Sequence, residues 1–438
     1  MKTFSEFVQL NPDYLKTLLL DDLRATDFAR LDEKKHVYLD YTGAGLHAAP
    51  QVREHTEYLN SDVAGNPHSA SPSSMSATSR VERTRNAVLK YFNGTNTYTA
   101  IFTLNASAAI KLVAESFPFE DGSQLLLTAD NHNSINGIRE FARAKGADIK
   151  YSPINIPSLR LDHDSMDSNL NLRNETVPNL LAFPAQSNFS GVKHPLDLVQ
   201  AAQDKGWSVL LDAAAFVPTN RLDLQTVSPD FVALSFYKMF GYPTGVGCLL
   251  VRNSSLGMLK RPWFSGGTVN FATVQGQMHV MSPGEAGFED GTLNFHSIPA
   301  VGMGLAYIER IGIEVIQTRV QCLTNWLLHE LLEMRHSNGR ALVRIYGPTS
   351  TAQRGGTVTM NFYDMAGHLL DYRRLEELAG AEGISLRTGC FCNPGAGELA
   401  EGLTLEDMRA AAALGSSASL SSFMKLMETR GEKSAGAI

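Results

Sequence analysis

Four cysteines in 438 residues are too few for a disulfide scaffold, and so sparse a set is expected in a reducing compartment, the cytoplasm. No apolar stretch approaches the ~20 residues that a bilayer-spanning helix needs, so no membrane partner is expected. The N-terminal "MKTFSEFVQLNPDYLKTLLLDDL" has neither a long apolar core nor a small-residue cleavage site, and reads as no signal peptide. Neither sign of charge forms a long block: 38 basic and 45 acidic residues leave a net charge of −7. Binders of nucleic acid usually carry a basic face, so no nucleic-acid partner is expected. No repeat period is visible. What is present is ordinary globular composition, 43% hydrophobic and 19% charged, in a chain long enough for two or more structural units.

Short apolar runs alternate with helix-like segments through the middle of the chain. "YTAIFTL" (98–104) is β-rich, and "SAAIKLVAESF" after it has helical spacing. "SQLLLTA" (123–129) precedes the amphipathic "SINGIREFARAKG", which ends at Gly146. "NLLAFPA" (179–185), "WSVLLDAAAF" (207–216), "DFVALSF" (230–236) and "GVGCLLVR" (245–252) read as further strands. Continuous apolar strands alternating with helices predict an α/β fold with a mostly parallel sheet covered on both faces. From about residue 300 the texture changes to long helix with a break expected at Gly312, then strands "ALVRIYG" and "GGTVTMNFY" and the helix "DYRRLEELAGAEG". The expected division is a large unit over 36–300 and a smaller α+β unit made of 1–35 and 301–438, with the terminal "GEKSAGAI" frayed.

Asp212 ends one apolar strand and Lys238 follows another. A desolvated lysine at such a place can act as an amine nucleophile or Schiff-base former, and a neighbouring carboxylate can hold a protonated ring nitrogen. Taken singly, Lys238 reads more readily as a solvated lysine and Asp212 as a cap; together, at strand ends where α/β sites gather, they point to a site. Asn105-Ala106-Ser107 offers helix-start N–H groups and a hydroxyl to an anion, or is a simple cap. His132 either shuttles protons beside a cofactor ring or bonds within its loop. Gln186 and Asn188 either bond a cofactor hydroxyl or serve the turn between Pro184 and Gly191. "RTGCFCNPGAG" (387–397) holds two of the four cysteines. Cys390 and Cys392 fit a metal clip, a disulfide, packing, or a nucleophile on a mobile loop. No second ligand pair of zinc-finger spacing exists, so no metal is expected. Packing suits Cys248, in a strand, and Cys322, in a helix, better than Cys392.

These stretches together resemble the aminotransferase class-V branch of fold-type-I pyridoxal phosphate (PLP) enzymes, and within it the cysteine desulfurase-like domain of molybdenum-cofactor sulfurases. The resemblance rests on "YLDYTGAG", "GNPHSASPSS", "FTLNASAAIKLVAESFPF", "DNHNSINGIRE", "FPAQSNFSGVKHPL", "LLDAAAFVPTN", "SFYKMFGYPTGVG", "FEDGTLNF", "RGGTVTMNF" and "LRTGCFCNPGA", in family order from about residue 36 to 397. It implies a large domain with a mostly parallel seven-stranded sheet and a smaller α+β C-terminal domain carrying the cysteine loop. It implies PLP bonded to Lys238, its ring nitrogen paired with Asp212 and its ring stacked under His132. Ala106, Ser107, Ser235 and Tyr237 would cradle the phosphate, Asn188 and Gln186 would contact the ring or its hydroxyl, and Thr292 would reach the phosphate of a partner subunit in a homodimer with shared sites. Arg387 would help bind the substrate carboxylate.

In related desulfurases the pattern Arg-Thr-Gly-x-x-Cys carries the sulfur acceptor, which puts Cys392 in that place; Cys390 is the extra cysteine of the sulfurase branch. The implied reaction turns L-cysteine into L-alanine and leaves a persulfide on Cys392 for a sulfur-acceptor protein. The alternative on this scaffold is a C–S lyase, or a carbon–carbon bond-forming or cyclising enzyme. Two departures from the family stand out. The second, C-terminal domain of full sulfurases is expected to be lacking. Ala411 stands where relatives have an arginine for the substrate carboxylate, with Arg409 nearby as the substitute.

Overall fold

Valine, leucine, isoleucine and phenylalanine crowd the expected strands, and in the computed structural model, which describes residues 3–438 except 68, 418, 432 and 435, six of them join one unforeseen strand, Asp148–Ser152, in a seven-stranded sheet. Its strands are β1 (Tyr98–Thr103), β2 (Gln124–Thr128), β3 (Asp148–Ser152), β4 (Leu180–Pro184), β5 (Ser208–Asp212), β6 (Phe231–Ser235) and β7 (Gly247–Arg252). Their order is β1-β7-β6-β5-β4-β2-β3. From β6 to β3 all neighbours run parallel, and β7 runs antiparallel to both β6 and β1. Every residue of β4, β5 and β6 is buried. Successive side chains go to opposite faces: Leu181, Phe183, Val209, Leu211, Val232 and Leu234 join one core, and Leu180, Ala182, Leu210, Phe231 and Ala233 the other.

Helices cover both faces. α1 (Pro72–Tyr91) packs Val81 and Val88 into the first core, and α2 (Ala106–Ser116) packs Ile110 and Val113 into the second. The short α3 (Phe236–Phe240) continues β6. The long helical stretch breaks at Gly312, whose φ is 89°, into α4 (Ile298–Ile311) and α5 (Ile313–Glu333). α4 sends Val301, Leu305 and Ile308 into the first core. On α5, Cys322 packs with Phe7 and Tyr14 of the N-terminal segment, and Arg319 bonds Thr17 and Asp21. No helix among the described residues is long and apolar enough to cross a membrane.

Outside the large sheet lie β8 (Val343–Tyr346) and β9 (Thr359–Phe362), an antiparallel pair, the parallel pairing of Val37–Tyr38 with Ile384–Ser385, and two antiparallel hairpins, Ile154–Asn155 with Arg160–Leu161 and Val269–Ala272 with His279–Met281. α6 (Pro394–Ala400) follows the cysteine pair. The tail expected to fray is ordered at its end. Ala437 is fully buried and exchanges backbone hydrogen bonds of 2.8 and 3.0 Å with Gly389. Ile438 does the same with Met360 at 2.9 and 3.0 Å. The free edge of β9 supplies unpaired backbone groups, and the tail takes them.

Glu401, just past α6, accepts from Tyr346 Oη at 3.1 Å and Asn361 Nδ2 at 2.8 Å. Burial pushes its carboxyl up from 4.5 to about 7, with these hydrogen bonds opposing only in part. The folded chain then holds this proton more tightly than the unfolded chain. Stability therefore falls as pH rises from about 4.5 through about 7. Glu401→Gln is expected to remove that part of the fall, roughly 2–3 kcal/mol, in chemical denaturation of both proteins at pH 5 and pH 8.

Candidate active site

The parallel strands bring their carboxyl ends to one edge, the place where α/β sheets bind ligands. There the loops enclose a cavity of about 370 Å³, a size suited to a small molecule. Ala106, Ser107, His132, Gln186, Asn188, Asp212, Ser235, Tyr237 and Lys238 all line it.

One end is built for an anion. Asn105 caps α2 by accepting from the Ala108 N–H at 2.9 Å. The Ala106 N–H donates to Ser235 Oγ at 3.0 Å, and Ser107 Oγ lies 2.6 Å from Ser134 Oγ. A helix start ringed by the hydroxyls of Ser107, Ser235 and Tyr237 favours negative charge.

The other groups differ in character. Asp212 ends β5, and its Oδ1 accepts from the Ala214 N–H at 3.0 Å, which orients the carboxylate. Lys238 stands on α3, which ends at Gly241 with φ 74°. A Cβ on Gly241 would sit 2.2 Å from the backbone nitrogen of His47, so only glycine lets that segment close on the lysine's helix. Burial pushes the Lys238 amine below its ordinary pKa; Asp212 pulls it up, Arg387 pushes it down, and Cys392 pulls it up. His132 Nδ1 accepts from the Ser134 N–H at 3.1 Å, so Nε2 carries the proton of the neutral ring. Burial holds its pKa down, Asp212 opposing and Lys238 reinforcing. Gln186 is buried, and its Oε1 has no partner among the described residues.

The cysteine loop closes on this edge. Gly389 has φ 102°, and Phe391 and Cys392 both have φ 55°. Two successive non-glycine residues in the left-handed region cost on the order of 1 kcal/mol each. Their carbonyls are gripped: Asn188 Nδ2 donates to Phe391 O at 2.7 Å, and the Asn133 N–H donates to Cys392 O at 2.7 Å. Behind them Asp130 pairs with His194 Nε2 at 2.8 Å, with neither side chain exposed. A Cβ on Gly395 would sit 2.0 Å from the Ala129 carbonyl oxygen, so the first turn of α6 lies directly on the loop after β2. Cys390 and Cys392 are exposed, whereas Cys248 and Cys322 are buried.

Four expected residues have other bonds or lie outside the lining. Asn188 lines the cavity, but both ends of its amide are committed to the loop: Nδ2 to Phe391, and Oδ1 to Asn393 Nδ2 at 3.0 Å. Arg387 lies outside the lining and forks onto Asp40 at 2.7 and 2.9 Å. Arg409 is exposed on the helix Leu405–Ala412, also outside the lining. That helix buries Asp407 against Arg430 and Lys433, and a residue two positions on faces away. Thr292 is exposed, where it accepts from Asn66 Nδ2 at 3.2 Å. The sequence reading missed Asp40, the Asp130–His194 pair and Asn393. Only Asn393 had a visible signal, a cap residue before a proline at the first helical position.

Residues 37–411 match the aminotransferase class-V family. The chain is 38% identical over 438 residues to the molybdenum cofactor sulfurase of Arabidopsis thaliana, covering 90% of this chain and 52% of that protein. It is 35% identical over 412 residues to the molybdenum cofactor sulfurase of Homo sapiens, covering 89% and 46%. The chain thus spans about half the length of the curated relatives it matches. Among solved structures, an apo cysteine desulfurase from Thermococcus onnurineus NA1 superposes with a TM-score of 0.74 at 24% identity, covering 87% of this chain and 90% of that one. A cystine C–S lyase in complex with cysteine persulfide superposes at 0.66 with 20% identity, covering 81% and 90%. At such identities the two structures establish the fold: a fold-type-I α/β architecture.

The charges around Lys238 give a two-sided test. Asp212→Asn removes a charge that raises the amine's pKa, and Arg387→Ala removes one that lowers it. In cofactor-free protein, the pH midpoint for acylation of Lys238 by an amine-selective reagent, followed by peptide mapping, is expected to fall in the first variant and rise in the second.

Proposed function

The chain belongs to the aminotransferase class-V family, and from that premise we propose that it is a PLP-dependent cysteine desulfurase akin to the sulfurases it resembles. It converts L-cysteine to L-alanine and carries the sulfur away as a persulfide on Cys392. One observation carries this reading: an exposed thiol, Cys392, sits on a loop whose backbone is held by Asn188, which lines the cavity, and by Asn133, between the lining residues His132 and Ser134.

The residues present fit the cofactor. The α2 start with Ser107, Ser235 and Tyr237 suits its phosphate, Asp212 its ring nitrogen, and Lys238 its aldehyde carbon. The unpartnered Gln186 Oε1 suits its ring hydroxyl. Bound there, PLP supplies an electron sink for bonds at the substrate's α- and β-carbons. Lys238 Nζ, its pKa held down by burial, takes the α-proton and returns protons to the carbon skeleton. His132 Nε2–H is the neighbouring donor. Cys392 Sγ attacks the substrate sulfur as a thiolate. The C–S bond breaks as the S–S bond forms. Its electron pair stays with the carbon skeleton, which gains a proton and leaves as L-alanine. L-cysteine and the Cys392 thiol thus give L-alanine and the Cys392 persulfide, with no outside oxidant or reductant.

The reading extends to partners. A homodimer is supported by the exposed Phe271, Met278 and Val280 of the hairpin formed by Val269–Ala272 and His279–Met281. Thr292 neighbours Gly291, whose N–H bonds Gly266 O close to that hairpin, as a residue shared across a dimer requires. A sulfur-acceptor protein and a cytoplasmic location complete the proposal. A C–S lyase is the second reading. It is favoured by the positions of Arg409 and Ala411 outside the cavity lining and by the engagement of Arg387 with Asp40.

Alanine release from L-cysteine, with reductant present, separates the readings. Wild type is expected to release alanine, and Lys238→Ala and Cys392→Ala to lose at least about 100-fold. Undiminished turnover of a sulfur substrate by Cys392→Ala would favour the lyase.

A further inference from the structure

The residue after Cys392 has more bonds than a helix cap needs. Asn393 is fully buried. Its Oδ1 accepts from the Ala396 N–H at 3.3 Å, the capping bond of α6. Only the amide oxygen can accept there, which fixes the orientation of the group. Nδ2 therefore donates twice, to Asp130 O at 2.7 Å and to Asn188 Oδ1 at 3.0 Å. Asn188 is oriented in turn, so that its Nδ2 reaches Phe391 O. A serine would serve as the cap. The two extra bonds tie the loop to the segments after β2 and β4.

We propose that Asn393 is a positioning residue, whose amide latches the Phe391–Cys392 turn onto Asp130 and Asn188 and so sets where Cys392 Sγ stands. Left-handed backbone at two successive non-glycine residues persists only where the surroundings enforce it. The latch is that enforcement, passed through Asn188 to Phe391 and by chain connection to Cys392. Without it the turn relaxes toward ordinary dihedrals and carries the thiol with it. The kinetic consequence rests on the desulfurase reading; the latch itself does not.

Asn393→Ser keeps a capping oxygen and removes both donors. Asn393→Asp keeps the shape and the cap and turns the donors into an acceptor, and serves if the serine protein fails to fold. Hydrogen exchange is expected to accelerate at residues 389–393 and at the Asn133 amide, and to stay unchanged in β4–β6. kcat for alanine release is expected to drop about 10- to 100-fold, with KM for L-cysteine within about twofold and the bound-cofactor absorbance unchanged. Wild-type exchange in the loop, or acceleration spread through β4–β6, overturns the latch. Faster loop exchange with an undiminished kcat overturns the positioning role. Faster loop exchange in the variants, with no alanine even from the wild type, upholds the latch and overturns the desulfurase reading.

Discussion

The chemistry at the sheet's carboxyl edge depends on keeping one lysine amine dry and unpaired. A buried charge without a partner is costly, and an amine in that position sheds its proton instead. Lys238 forms no ion pair among the described residues, and burial is the largest influence on its pKa. Asp212 is close enough to matter but does not neutralise it. The sheet and the segments packed on its edge create this setting. Three wholly buried strands, β4–β6, bring Gln186, Asp212 and Lys238 to one rim. The close approach of the His47 segment at Gly241 shuts the far side of the lysine's helix.

The thiol comes from a different part of the chain and is held from three directions. Asn133, Asn188 and Asp130 hold residues 391–393 from the sheet's edge. Asp40 takes both arms of the Arg387 guanidinium, just ahead of the loop. Ala437 pairs with Gly389 from behind. Hydrogen bonds, together with the packing of Phe391 against Phe189, set the loop's position against its backbone strain. A thiol that must meet a substrate and then a sulfur acceptor needs such a hold, firm in geometry and modest in energy.

Most of the seven-stranded sheet was legible in the sequence because continuous apolar runs of strand length, followed by amphipathic segments, have few other readings; Asp148–Ser152, with one apolar aliphatic residue, was not. Gly312 was legible as a break for its conformational freedom. Lys238 and Asp212 were legible only jointly, since each alone passes as surface or cap. The roles of Asn188 and Arg387 were not, because their partners, Phe391 and Asp40, lie far off in the chain. The C-terminal pairing left no trace either: small polar residues signal fraying, while the bonds that hold Ala437 and Ile438 are backbone to backbone. The outward face of Arg409 was within reach, given the Thr404–Asp407 capping box that starts its helix.

The most direct measurement exposes wild-type and Lys238→Ala protein to L-cysteine without reductant, alkylates the thiols and maps the peptides by mass. The expected result is one added sulfur atom on Cys392 of the wild type and none on the variant. Sulfur found only on Cys390, or added equally to the variant, would contradict transfer from a Lys238-dependent site to Cys392.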